Sequence, residues 1–225
     1  MSFTYEDKPS DSPFVETIWH TRTNRSGHYL ATADGNWDIL IRKRDRIATV
    51  MVCGPTTKAT PVPYEEGVET IGIQFKLGVF MPQFLLHTQT DSGTIMPDAM
   101  RKSFWLGGSV WQIPDYENVD SFVARLVRAD LLVRDPIVAA ALQGQSQDIS
   151  ERSVQRRFLR TTGLPQRYIQ YIERARQAVA LLQQGVPILD TVFQAGYSDQ
   201  PHMTKALKRL IGQTPAQIAR QRQSE

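Results

Sequence analysis

One cysteine, four histidines and no long apolar run leave few chemistries open to these 225 residues. A lone Cys53 excludes an internal disulfide and fits a reducing compartment. Its neighbours Val52 and Gly54 are uncharged and its nearest basic residue is Lys58, so nothing favours a thiolate. It reads as a buried, inert thiol and not as a sensor or alkyl acceptor. His20, His28 and His87, with Glu16, Glu65 and Glu66, form no His-x-His pair and no close His–carboxylate spacing. No metal site is expected from them, because a lone strand histidine is more often a hydrogen-bonded structural residue. There is no G-x-S-x-G and no phosphate-cradling glycine loop, so the residues call for no catalytic group, no enzyme activity and no cofactor. The start, MSFTYEDKPSDSP, is polar and acidic. It reads as a flexible lead-in over residues 1–13, neither signal peptide nor membrane anchor, which places the protein in the cytoplasm.

What is present is unevenly placed. Residues 1–118 hold 11 basic and 14 acidic side chains, and residues 119–225 hold 15 and 9. The net charge therefore changes from −3 to +6 along the chain. Such asymmetry suits a half that binds a polyanion joined to a half with another task.

The last third carries the sharpest pattern. Ser150 reads as the N-cap of a helix over residues 151–160, with Val154 and Phe158 inward and Arg152, Gln155, Arg156, Arg157 and Arg160 outward, ended by Gly163. A long helix over 166–184 follows, with Ile169, Ile172, Ala175 or Arg176, Val179 and Leu182 at a period of 3.6, closed by Gly185. Pro187 then starts a short helix with Ile188, Val192 and Phe193 as its apolar stripe, and Gly196 ends it. Tyr197 reads as a plug for the turn. Ser198 or Asp199 caps the next helix, in which Met203, Leu207 and Leu210 face inward and Gln200, His202, Thr204, Lys205, Lys208 and Arg209 lie on the polar sides. Gly212 stops it, and Thr214–Pro215 starts a last helix over 216–220. A basic helix following a glycine turn suits a DNA major groove.

The segments SERSVQRRFLRTTGLP, RARQAVALLQQG and GYSDQPHMTKALKRLIGQTPAQIAR resemble the AraC/XylS family of bacterial transcription regulators, over about residues 135–220. The resemblance implies a DNA-binding domain of two helix-turn-helix units, joined by the long helix, whose recognition helices enter neighbouring major-groove segments. Carried over position by position, base reading falls on Arg152, Gln155 and Arg156 in the first unit, and on Gln200, Pro201, Thr204 and Lys205 in the second. Lys208 falls at a phosphate contact, and Arg160 lies on the outward face of the first reader. This chain departs from the family in one place. Relatives have two helices before the first recognition helix, whereas residues 135–150 leave room for one, over 136–143, and a turn-like GQSQD. Val192 also replaces a smaller residue, which implies local repacking.

The first half has a different texture. Short alternating runs at 14–19, 29–31, 37–41, 46–52, 69–76 and 104–112 read as strands, with turns at ADGN and at Gly54–Pro55. They predict a cupin-like β-barrel or sandwich over 14–118, so the whole chain is α+β: a β-rich regulatory, effector or dimerisation domain, a linker helix over 119–134 and a helical DNA-binding domain over 135–225. The linker helix would turn Phe122, Leu126, Ala129 and Val133 inward, and residues 77–86 read as a helical excursion. ADGNWDILI, VCGP and GIQFKLGVFMP resemble the N-terminal β domain of one branch of the same regulators. Aromatic rings at period two are more often core than pocket; Trp19, Trp37, Phe75 and Trp105 are the candidates for lining an effector site.

The expected function is sequence-specific binding of double-stranded DNA, with the two readers about one helical turn, roughly 34 Å, apart. A small-molecule effector and a homodimer are further expectations, and no membrane partner is. Two rivals stand beside it: a β domain acting as enzyme or metal sensor with DNA binding as output, and a regulator that docks on another regulator or RNA polymerase because its first reader has degenerated.

Overall fold

The computed structural model describes residues 3–100, 102–145 and 148–221. The chain divides into two compact units. The first takes the residues up to His28, Asn36–Pro55 and Pro63–Pro165; the second takes Tyr29–Gly35, Thr56–Val62 and the residues from Gln166 onward.

In the first unit, strands β1 (Phe3–Lys8), β2 (Val15–Thr23), β4 (Asp38–Arg44), β5 (Ile47–Cys53), β7 (Val68–Phe75) and β9 (Gly93–Ile95) form one six-stranded antiparallel sheet in the order β1-β2-β7-β4-β5-β9. Its register aligns β-branched side chains in rows on the inner face, where they pack well on a pleated surface. One row runs Ile18, Ile73, Ile39, Val52 and the next runs His20, Ile71, Ile41, Val50. Each of these aliphatic residues is at most 2% exposed. The sheet is open, with β1 and β9 at its edges, so of the two expected architectures the sandwich is the one realised.

A three-stranded sheet of β10 (Asp98–Met100), β11 (Ser103–Leu106) and β12 (Ser109–Gln112) and helix α1 (Val119–Arg128) complete this core. Val119, Phe122, Val123 and Leu126 pack with Phe104, Leu106 and Trp111. The ring of Phe122 lies 6.2 Å from Phe104 and 6.1 Å from Trp111.

Several sequence expectations are corrected here. The polar lead-in contains β1, paired with β2 over six residues; its alternation is hard to see because its side chains are mostly exposed. The single strand expected over 104–112 is a hairpin, broken at Gly107 and Gly108, which both adopt positive φ. The helical excursion over 77–86 is instead strand β8 (Val79–Phe80) and a 3-10 turn at Leu86–Thr88. The helix expected to reach 134 ends at Arg128: Asp130 takes φ 55° and strand β13 (Val133–Arg134) pairs with β8. Ala129 is accordingly exposed. Two further helices belong to this unit, α2 (Pro136–Leu142) and α3 (Glu151–Thr162). The turn expected over 144–148 lies in part outside the described residues.

The second unit contains α4 (Gln166–Gln184), α5 (Ile188–Gln194), α6 (Gln200–Leu210) and α7 (Pro215–Gln221). Helix α4 is the hub: it packs on α5, α6 and α7 through Ile169, Ile172, Ala175, Ala178 and Leu182, each at most 2% exposed. Thr214 and Gln217 cap α7 reciprocally, the Thr214 hydroxyl accepting from the Gln217 amide at 3.2 Å and the Gln217 side-chain oxygen accepting from the Thr214 amide at 2.8 Å. Strands β3 (Gly27–Ala31) and β6 (Thr60–Tyr64) pair as a two-stranded ribbon, and the residues at its tip, 29–35 and 56–62, belong to this unit.

On the outer face of the six-stranded sheet, Gly72 is paired with Trp19. A Cβ at position 72 would lie 2.0 Å from Cε2 of that indole, so the ring occupies the space a side chain would need. Gly72→Ala is therefore expected to destabilise the first unit by about 1–3 kcal/mol. Adding Trp19→Leu to Gly72→Ala should recover part of that loss, as read by urea denaturation of both variants.

Candidate nucleic-acid interface

Helix α3 starts where Ser150 offers its hydroxyl to the Ser153 amide at 3.3 Å. It ends at Gly163, in the left-handed region at φ 76°, whose amide donates to the Leu159 carbonyl at 3.1 Å. A Cβ at Gly163 would also come within 2.9 Å of the Leu86 carbonyl oxygen, so glycine is required twice over. The inward face carries Phe158, Thr161 and Thr162, all at most 1% exposed, with Val154 only half-buried. Both threonines return their hydroxyls to the helix, to the Arg157 and Phe158 carbonyls, so these buried polar groups are satisfied.

The outward face presents Arg152, Gln155, Arg156 and Arg160, all exposed. They are not equally free. The guanidinium of Arg160 sits 5.4 Å from the Phe80 ring, and Gln155 reaches the Glu151 carboxylate at 3.4 Å. Arg157, the remaining arginine of the run, donates to Oδ2 of Asp135 at 2.8 Å. Asp135 is 7% exposed and its Oδ1 caps α2, accepting from the Ile137 and Val138 amides. Arg157 is thus structural, a distinction that composition alone does not make. The single helix α2, the Leu86 turn and strand β8 are what α3 rests against.

Helix α6 repeats the device with other parts. Of the two caps considered, Asp199 is the one used: its Oδ1 accepts from the His202 amide at 2.7 Å while the Ser198 hydroxyl bonds its Oδ2 at 3.1 Å. The backbone bond first, and the hydroxyl second, hold this carboxyl below its ordinary pKa. Met203, Ala206, Leu207 and Leu210 are fully buried. Gln200, Pro201, Lys205, Lys208 and Arg209 are exposed and Thr204 is half-buried. The preceding turn is held by Tyr197, 4% exposed, whose ring meets His202 edge-on at 5.2 Å and lies 5.7 Å from the Arg174 guanidinium. Burial pushes its hydroxyl up to about 12. In α5 the expected stripe is corrected. Val192 is 2% exposed and Thr191 is fully buried beside it, but Phe193 is 76% exposed, since one residue further turns the side chain about 100° round the helix.

The four aromatic candidates of the first half are not brought together. Trp37 stacks on Phe75 at 4.1 Å and donates its indole N–H to the Val79 carbonyl at 2.7 Å, deep in the core. Trp19 lies over Gly72 and Trp105 is 45% exposed on β11. Two shallow hollows, of about 280 and 200 Å³, are lined mainly by Arg134, Pro136 and Gln143, and by Ile113, Phe122 and Arg125; none of the four aromatics lines either. His20 is 3% exposed and bonds carboxylates on both sides, Glu6 at 2.6 Å and Glu69 at 2.9 Å, with its ring stacked on Tyr116. No group of three His, Cys, Asp or Glu is placed to hold a metal ion among the described residues. No helix among them is long and apolar enough to cross a membrane.

Residues 145–221 match a family described as a helix-turn-helix domain, and residues 7–90 match a domain of unknown function, DUF6597. None of the curated proteins matches the chain. Among solved structures it is similar to ToxT of Vibrio cholerae, at 7% identity and a TM-score of 0.40 over 97% of this chain and 98% of that one. A structure of ToxT bound to (E)-4-(8-methylnaphthalen-1-yl)but-3-enoic acid is similar at 6% identity and a TM-score of 0.40, over 99% and 100% of the two chains.

Two expectations follow from these geometries. Arg157→Gln should lower stability by about 1–2 kcal/mol, the scale of a lost charge-assisted hydrogen bond, and leave the salt dependence of DNA binding unchanged; thermal unfolding and a binding titration check both parts. Burial, and the nearby charge of Asp38, push the Cys53 thiol up to about 12. At pH 8 the thiolate fraction is therefore very small, and the native chain should react with a thiol-selective reagent far more slowly than the chain in urea.

Proposed function

We propose that the chain is an AraC-type DNA-binding transcription regulator that reads an asymmetric duplex site with α3 on one half-site and α6 on the other, in line with the helix-turn-helix match over residues 145–221. The observation that carries this reading is the shared construction of the two helices. Each has a side-chain cap at its N-terminus, one buried face and one exposed polar face, and the exposed faces hold the residues expected to contact DNA. Arginine pairs geometrically with guanine and glutamine with adenine in the major groove. Arg152 and Arg156, with Gln155 and Gln200, are therefore assigned to base edges, and Pro201 and Thr204 to the apolar and hydroxyl contacts of the second half-site. Lys205 joins them in reading the second half-site, while Lys208 and Arg160 supply positive charge toward phosphates, the source of most salt-dependent affinity.

On this reading the protein is a reader and not an enzyme, works in the cytoplasm and takes its regulatory input through the first half of the chain. Effector binding or pairing of two copies would act there. The stacking of Trp37 on Phe75 assigns those two rings to packing, which leaves Trp19 and Trp105 as the candidates with open ring area.

Selection of bound duplexes by the full chain should return a bipartite motif, and Arg156→Ala should erase one half of it. In a salt titration Lys208→Ala should flatten the slope of log affinity by about one unit, whereas Gln200→Ala should relax preference at one base pair at a cost of about 1–3 kcal/mol. A motif of one half-site, unchanged by Arg156→Ala, would mean that α3 is structural. An affinity insensitive to salt would remove direct DNA reading altogether.

A further inference from the structure

The end of α6 is held by a segment far away in sequence. The last four carbonyls of a helix have no partner within it. In α6 the Leu207 carbonyl is taken by the amides of Ile211 and Gly212, at 2.8 and 3.0 Å. The next two filled carbonyls are not satisfied locally: Arg209 accepts from the Ala59 amide at 2.8 Å and Leu210 from the Ala33 amide at 2.7 Å. Ala33 and Ala59 flank opposite arms of the β3–β6 ribbon, so both arms grip the helix. The ribbon tip is bonded to α4 as well, the Tyr168 hydroxyl donating to the Thr57 carbonyl at 2.8 Å and the Arg176 guanidinium to the Asp34 carbonyl at 3.1 Å.

Contact is close along the same line. A Cβ at Gly212, already at φ 81°, would meet Cδ2 of Leu30 at 2.4 Å and Cβ of Ala59 at 3.1 Å. The ribbon tip therefore ties the helix that reads to the helix that carries it by four hydrogen bonds, two of them between backbones.

We propose that the tip of the β3–β6 ribbon is a positioning element of the second reader, with the Ala33 and Ala59 amides setting the pose in which α6 meets a DNA major groove. The inference rests on the DNA-reading function proposed above. It makes recognition by α6 depend on residues of the first half of the chain that touch no base. An amide on a two-stranded ribbon has fixed direction, so it orients a helix end more narrowly than a flexible side chain does. Losing one of the bonds leaves a helix carbonyl unpaired and lets the helix end move.

The test uses the full chain. Ala59→Pro removes the donor, because proline has no N–H, whereas Ala59→Ser keeps it. The expected result is that Ala59→Pro loses footprint protection at the half-site contacted by α6 and binds about tenfold more weakly, with the other half-site, the melting temperature of the first unit and the salt slope retained. Ala59→Ser should behave as the native chain. A folded Ala59→Pro with an unchanged footprint would overturn the proposal. If Ala59→Pro does not fold, Tyr168→Phe decides in its place: about threefold weaker binding at the α6 half-site supports the positioning role, and native binding counts against it. Amide exchange of the DNA-free protein provides an independent arm. The Ala33 and Ala59 amides should exchange at least about a hundredfold more slowly than in an unstructured peptide, and fast exchange of both would overturn the proposal. A native chain that protects no DNA at all would defeat the DNA-reading function instead, and the exchange arm would still settle whether the ribbon holds the helix.

Discussion

A helix that must offer one face to a ligand can be anchored only by its other face and its two ends. That constraint bears on α3 and α6, the two helices proposed to read DNA. In α3 the buried face is narrow, with Phe158 its only fully buried large apolar side chain among Thr161 and Thr162, and the ends do much of the holding. Ser150 supplies the first cap, Gly163 fits against the Leu86 carbonyl where no side chain would, and Arg157 is tied to the same carboxylate that starts α2. In α6 the buried face is fuller, with Met203, Ala206, Leu207 and Leu210, yet its end still needs outside donors for the Arg209 and Leu210 carbonyls.

The first unit answers a different need. Its sheet has to present a flat apolar face over four central strands, and the register does this by stacking isoleucine and valine in rows across β2, β7, β4 and β5. His20 stands in one of those rows where an aliphatic residue would be expected, and each of its ring nitrogens lies within hydrogen-bond distance of a carboxylate oxygen, of Glu6 on one side and Glu69 on the other. A buried polar ring without those partners would be costly. Much of the aromatic supply that makes this half look like a binding domain goes into packing, Trp37 on Phe75 and Trp111 on Phe122.

Short-range chemistry was the most legible part. Ser150, Gly163, Gly185, Gly196 and Gly212 mark helix boundaries through capping and positive φ, and α3, α4 and α6 fall where those residues and the 3.6-residue period place them. The exposed faces of α3 and α6 follow from the same period. Structure departs from local pattern where that pattern is weak or misleading. Strand β1 is polar because most of its side chains face solvent, the run at 104–112 hides a Gly-Gly reversal, and Phe193 looks like core but lies one step beyond it. Which of four arginines on α3 is structural depends on Asp135, 22 residues before Arg157 in sequence, and no local rule supplies that pairing.

By itself the sequence determined the helix ends, the polar faces of α3 and α6 and the resemblance to helix-turn-helix domains, because each of these rests on residues within a few positions of one another, and the charge asymmetry, which is a matter of composition. Only the tertiary structure decided the open six-stranded sheet with β1 at its edge, the Asp135–Arg157 tie, and the ribbon whose Ala33 and Ala59 amides reach the end of α6. Backbone amides carry no side-chain signature, so a contact made by two alanines leaves no trace in composition or period. It exists only when the fold brings residues 33 and 59 to residues 210 and 209.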